Sequence, residues 1–166
     1  ALNHFPTPLG RMQVMQIKPF SVIIDFAHTP HALRSALNSV REISDKGRII
    51  SVFGCAGQRD VGRREMGKVA ARWGEIMILT SEDPRDEKLK DINAMIIKQA
   101  MEKNGELIKE FNDHEEFEGR DINNIKEGLE KSLLSSSTPI IAFNEDSIKS
   151  RQDAIKLALE IAQDND

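Results

Sequence analysis

Three short polar segments carry the side chains of this sequence that could do chemistry. Asp25-Phe26-Ala27-His28-Thr29-Pro30 sets a carboxylate close to an imidazole. Phe53-Gly54-Cys55-Ala56-Gly57-Gln58-Arg59-Asp60 joins small residues, which let a backbone approach a ligand closely, to a guanidinium. Ser81-Glu82-Asp83-Pro84-Arg85 adds a second guanidinium behind an Asp-Pro turn signal. A carboxylate such as Asp25, between a strand and a helix, can accept hydrogen bonds from a ribose diol. An imidazole at the start of a helix, as at His28, can donate to a phosphate with help from the helix dipole. The planar forks of Arg59 and Arg85 suit bidentate contact with a carboxylate. Each has a structural competitor: a turn or cap role for Asp25, packing or capping for His28, a network with Asp60 for Arg59, and a solvated turn for Arg85.

Elements of regular structure must position these segments, and each segment closes an apolar run. Ser21-Val22-Ile23-Ile24 precedes the first, Arg48-Ile49-Ile50-Ser51-Val52 the second and Ile76-Met77-Ile78-Leu79 the third. In open α/β sheets, ligands bind beyond the carboxyl ends of the strands, so the three loops point to one site. Between them, Ala32, Leu33, Ala36, Leu37, Val40 and Ile43 recur at helical spacing after the start signal Thr29-Pro30 and before the stop Gly47. Met66, Val69, Ala70 and Trp73 mark a second helix stopped by Gly74; Leu89, Ile92, Met95, Ile96, Ala100 and Met101 mark a third, closed by Asn104-Gly105. This alternation predicts a three-layer α/β/α, Rossmann-like domain with a mostly parallel sheet and right-handed crossovers. Its parallel strands are expected at Ser21–Phe26, Arg48–Phe53, Glu75–Thr80 and Pro139–Phe143, preceded by a strand over Met12–Ile17. Residues 106–138 read as polar and irregular apart from a helix over Ile122–Leu134. A last helix, capped by Ser147 or Ser150, lines one face with Ile155, Ala158, Leu159 and Ala162.

The bulk properties exclude several function classes. With 166 residues, 39% hydrophobic and 30% charged, the chain has enough apolar material for one soluble domain with its own core. A net charge of −4 and no Lys/Arg-rich face argue against general nucleic-acid affinity. The single cysteine, Cys55, rules out an internal disulfide and a cysteine zinc site, and fits a reducing cytoplasm. No apolar stretch reaches the roughly twenty residues that cross a bilayer, so no membrane contact is expected. No basic-then-apolar signal opens the sequence. The glycines lack the G-x-G-x-x-G spacing of a dinucleotide site. His4, His31 and His114 have no metal-ligand spacing, so no protein-bound metal is expected. Cys55, Met66, Met77, Met95 and Met101 read as packing, and Arg63-Arg64 as a solvated pair.

In this order and spacing, the D-F-A-H-T-P segment, the F-G-C-x-G-x-R-D loop and the D-P-R loop resemble the carboxy-terminal domain of the Mur ligases. The nearest branch is the MurE type, which adds the third amino acid of the peptidoglycan stem peptide. Gly10-Arg11-Met12-Gln13 is similar to the family's opening G-R-M-E, and Ser150-Arg151-Gln152-Asp153-Ala154-Ile155 to its D-R-x-x-A-I helix start. The resemblance covers most of residues 9–100 and 146–166. It implies a linker over residues 1–11 from a missing central domain, the domain itself over 12–166, an insertion at 106–138, and a last family strand that is missing. The P-loop motif G-K-S/T of the central domain does not occur in these residues, so the fragment alone is expected to be inactive and to hold no catalytic residue.

The resemblance also implies roles for single residues. Arg11, Asp25 and His28 would contact ATP, while Arg59, Asp83 and Arg85 would hold the incoming amino acid. Mg2+ would be bound mainly by the central domain. The substrates would be UDP-MurNAc-peptide and meso-diaminopimelate, in a cytoplasmic monomer working with the amino-terminal and central domains of the same chain. Ala56 stands where the family has glycine, and Glu82-Asp83 where it has Asp-Asn. Lysine- or glutamate-adding relatives and a non-catalytic nucleotide or amino-acid binding module are the alternatives.

Overall fold

A computed structural model describes residues 8–44, 46–58 and 60–166. The elements run β1 (Gln13–Gln16), β2 (Val22–Ile24), α1 (Pro30–Ile43), β3 (Ile50–Phe53), a 3-10 turn (Val61–Glu65), α2 (Met66–Trp73), β4 (Ile76–Leu79), α3 (Leu89–Met101), β5 (Gly105–Phe111), α4 (His114–Glu118), α5 (Ile122–Leu134), β6 (Thr138–Phe143) and α6 (Ile148–Ile161). Four strands form one parallel sheet in the order β3-β4-β6-β5.

Period-two alternation along the central strands builds a core on each face of this sheet. Met77, Leu79, Ile140 and Ala142 pack with α1, α2 and α3. Ile76, Ile78, Ile141 and Phe143 point the other way, against α4, α5 and α6. Every residue of β4 and β6 is buried. Strands buried on both faces read as continuous apolar runs and belong to parallel sheets. The expected three-layer α/β/α architecture is what these residues form.

Local signals set the helix ends. Thr29 caps α1 by accepting from the Ala32 N–H at 3.2 Å, with Pro30 as the first helical residue. Asp121 caps α5, and Ser147 rather than Ser150 caps α6, accepting from the Ser150 N–H at 3.0 Å. The α5 helix has the bounds expected from the sequence.

Four expectations need correction. The run Ser21–Phe26 is not a strand of the parallel sheet. Its β2 pairs antiparallel with β1 in a separate two-stranded sheet. The turn through Lys18–Phe20 is far too short for a parallel crossover, and Ile24 is exposed rather than buried on both faces. Residues 106–111 are not irregular but form the edge strand β5, paired parallel with β6. Its polar residues Glu106, Lys109 and Glu110 belong on an edge strand, while Leu107, Ile108 and Phe111 face the two cores. On α6 the buried face is Ala154, Leu157 and Ile161, and Ile155 and Leu159 are exposed. Met101, at the end of α3, is exposed as well.

Candidate functional site

The end of the β1–β2 hairpin gathers Arg11, Asp25 and His28 around Phe26. Asp25 accepts the Met12 N–H on Oδ2 and the Ala27 N–H on Oδ1, both at 2.9 Å. Its carboxylate thus ties the start of β1 to the entry of α1, and each oxygen keeps a lone pair for a further donor. Phe26 is 59% exposed. The Arg11 guanidinium lies 4.8 Å from its ring centroid, within cation–π range. The His28 ring is tilted against it at 4.9 Å, with Nδ1 held 3.0 Å from the Phe26 carbonyl oxygen. Sequence reading named Arg11, Asp25 and His28 but missed Phe26. An aromatic residue inside an otherwise polar loop was the signal.

Beyond β3 and β4, the second and third segments pack into each other. The Gly57 N–H donates to the Asp83 carbonyl at 3.0 Å. A Cβ on Gly57 would lie 1.8 Å from the Pro84 carbonyl oxygen, and one on Gly54 would lie 2.2 Å from that of Thr80. Only glycine allows this approach. Gln58, Asp83 and Arg85 all take positive φ, at 49°, 42° and 54°. Such left-handed backbone at non-glycine residues costs energy and persists where surrounding contacts over-determine it. Asp83 Oδ2 and Arg85 Nε lie 3.5 Å apart, and both side chains are open to solvent. The Ser81 hydroxyl bonds Asp146, and Arg151 donates from Nε and Nη2 to the Ser81 carbonyl at 2.9 and 2.5 Å, so α6 holds the base of this loop. Arg59 lies outside the described residues.

Arg64 is buried, not solvated, which corrects the sequence reading. Its exposure is 3%, and it donates to the Ala56 carbonyl at 2.9 Å and to Glu87 Oε2 at 3.2 Å. Cys55 packs as expected, with Sγ 3.5 Å from the Arg63 carbonyl and 3.8 Å from Met66 Sδ. Burial pushes its thiol above the usual range, against the opposing charge of Arg64.

Among the described residues, no hydrogen bond or ion pair joins the hairpin group to the two loops. Each oxygen of Asp25 spends one lone pair on a backbone amide. One group of potential metal ligands does form elsewhere: His114, Glu118 and Asp153, whose ligand atoms lie within 4.8 Å of one another. Asp153 comes from α6, so spacing along the chain could not reveal the grouping. His114 Nδ1 meets Asp153 Oδ2 at 2.6 Å, and Glu118 meets Lys156 Nζ at 3.3 Å, which together hold α4 against α6.

A family model described as "Mur ligase, glutamate ligase domain" matches residues 10–137. The UDP-N-acetylmuramoyl-L-alanyl-D-glutamate–2,6-diaminopimelate ligase of Clostridium botulinum is 34% identical over 170 residues, covering 100% of this chain and 27% of that protein. The ligase of the same name from Aquifex aeolicus is 44% identical over 101 residues, 60% of this chain and 21% of its own length. A solved structure of a UDP-N-acetylmuramoyl-L-alanyl-D-glutamate–2,6-diaminopimelate ligase superposes with a TM-score of 0.54 at 26% identity, over 90% of this chain and 32% of that one. The chain therefore spans about a quarter of the length of the curated relatives it matches.

Proposed function

The chain belongs to the Mur ligase family, whose glutamate ligase domain it matches, and from that premise we propose that it serves a MurE-type ligase as its carboxy-terminal domain. The reaction is ATP-dependent addition of meso-diaminopimelate to UDP-N-acetylmuramoyl-L-alanyl-D-glutamate. The substrate carboxylate takes the γ-phosphoryl group of ATP, and the amine of diaminopimelate displaces phosphate to form the amide. This domain presents the amine and covers the nucleotide. Positioning and exclusion of water are its contributions to rate.

The observation that carries this reading is the paired charge of Asp83 and Arg85, 3.5 Å apart on a loop held from below by Arg151. The far end of meso-diaminopimelate carries a carboxylate and an ammonium on one carbon. Arg85 suits the carboxylate and Asp83 the ammonium, so the pair is complementary to that zwitterion. Lysine ends in an ammonium alone and would bring Arg85 no carboxylate. Arg59, on the neighbouring loop, is assigned the second carboxylate.

Arg11, Asp25 and His28 are assigned to ATP. Phe26 offers an exposed ring for the adenine, and Asp25 keeps acceptor capacity for a ribose hydroxyl. The Mg2+ that accompanies ATP falls to phosphate-binding residues other than Asp25. Work in the cytoplasm follows from the use of ATP and a nucleotide-linked precursor.

Arg85→Ala in the full-length protein tests the assignment. Leaving a substrate carboxylate without its charged partner costs on the order of 2–5 kcal/mol, or roughly 30-fold or more in kcat/KM for diaminopimelate. The KM for ATP should stay unchanged. A variant that loses ATP affinity and keeps its amino-acid preference would overturn the assignment.

A further inference from the structure

We infer that Arg64 and Glu87 are positioning residues that brace the amino-acid pocket in its binding shape before substrate arrives. This inference rests on the assignment of the two strand-end loops to the amino acid. Neither residue reaches the site itself. Arg64 sits beneath it, 3% exposed, with one Nη on the Ala56 carbonyl of the first loop and the other on Glu87, which follows the second loop. Glu87 returns the link: its other oxygen accepts the Gln58 N–H, and the Gln58 side chain reaches Asp86 at 2.9 Å. The Gly57–Asp83 backbone bond closes the circuit.

The circuit encloses the three positive-φ residues Gln58, Asp83 and Arg85. Left alone, such backbone relaxes to the more stable regions with φ below zero, and the Asp83–Arg85 pair would turn with it. A lysine at position 64 could not replace the fork, because one ammonium cannot make the same planar, two-ended bridge. Among the described residues Arg64 Nε finds no partner, so the two Nη bonds are what fix the guanidinium. A buried guanidinium that joins a carboxylate of one loop to a carbonyl of the other makes sense as a brace.

The test uses the full-length protein with Arg64→Lys and Glu87→Gln, and Arg85→Ala beside them. The brace predicts that both variants raise the KM for meso-diaminopimelate by about tenfold to a hundredfold, the scale set by small misplacements of a bound group. The KM for ATP and kcat at saturating amino acid should move far less. Hydrogen exchange should quicken together in peptides over residues 54–60 and 82–87 in either variant. A merely structural role would instead lower the active fraction and kcat with both KM values unchanged, and would overturn the inference. Glu87 is partly exposed, so Glu87→Gln decides the matter if Arg64→Lys fails to fold. If the parent protein does not use diaminopimelate, or Arg85→Ala leaves its KM untouched, the pocket assignment fails. If the parent uses diaminopimelate, Arg85→Ala raises the KM and both brace variants keep the parent value, the brace alone fails.

Discussion

At Gly57 a hydrogen atom stands where any other residue would drive a Cβ against the Pro84 carbonyl. Gly57→Ala should therefore push the two loops apart, lowering unfolding free energy by about 1–3 kcal/mol, as overpacking does. In the full-length protein it should also raise the KM for the amino acid, and denaturant midpoints measured beside kinetics check both effects. Cys55 makes a second prediction at this scale. Its thiol is buried and its pKa is raised, so little thiolate is present near neutral pH. Iodoacetamide should leave the native protein unlabelled at pH 8 and label it readily in denaturant. Fast labelling of the folded protein would contradict this packing. Residue types in the three segments nominated Asp25, His28, Arg59 and Arg85, whereas Arg11 and Asp83 were nominated through the family resemblance. Arg64 was not legible, because a guanidinium beside another arginine reads as solvated until its bonds to the Ala56 carbonyl and Glu87 are seen.

Among the elements, the β1–β2 hairpin depends on one side chain. At its open end, Asp25 satisfies two backbone amides, one from the start of β1 and one just past β2. Asp25→Ala should cost about 1–3 kcal/mol of stability by leaving those donors unmet, and should weaken ATP binding in the full-length protein. Thermal unfolding and nucleotide titration together check it; unchanged stability would show that water replaces the carboxylate fully. Helices were the legible elements, because caps and apolar spacing of 3.6 residues are local signals. The pairing of β2 was not, since an apolar run of a few residues does not say which strand it meets. The charges of β5 likewise hid an edge strand behind a polar composition.

At the scale of the whole domain, Asp166 ties distant elements together. Its carboxylate accepts from the backbone N–H and guanidinium of Arg48, at the start of β3, and from the Gln163 N–H. Its backbone carbonyl accepts the Ser21 N–H of the hairpin. Burial alone would raise its pKa, but the hydrogen bonds from Arg48 and Gln163 outweigh it and hold the group below the usual carboxylate range. A depressed folded-state pKa contributes stability that is complete above the unfolded value, about 3.9. That stability is lost as pH falls through the lower folded value. Acid unfolding should therefore steepen below about pH 4, and Asp166→Asn should show a shallower acid slope. The three-layer class was readable because β4 is apolar throughout and β6 is apolar from Pro139 to Phe143, which only a sheet covered on both faces requires.

The central claim is the addition of meso-diaminopimelate, and amino-acid preference in the full-length protein tests it most directly. With ATP and UDP-N-acetylmuramoyl-L-alanyl-D-glutamate, kcat/KM is measured for meso-diaminopimelate, lysine and glutamate. A site built to pair with a distal carboxylate should favour diaminopimelate over lysine by at least about a hundredfold. Equal or better turnover with lysine, or no ATP-dependent product with diaminopimelate, would contradict the account.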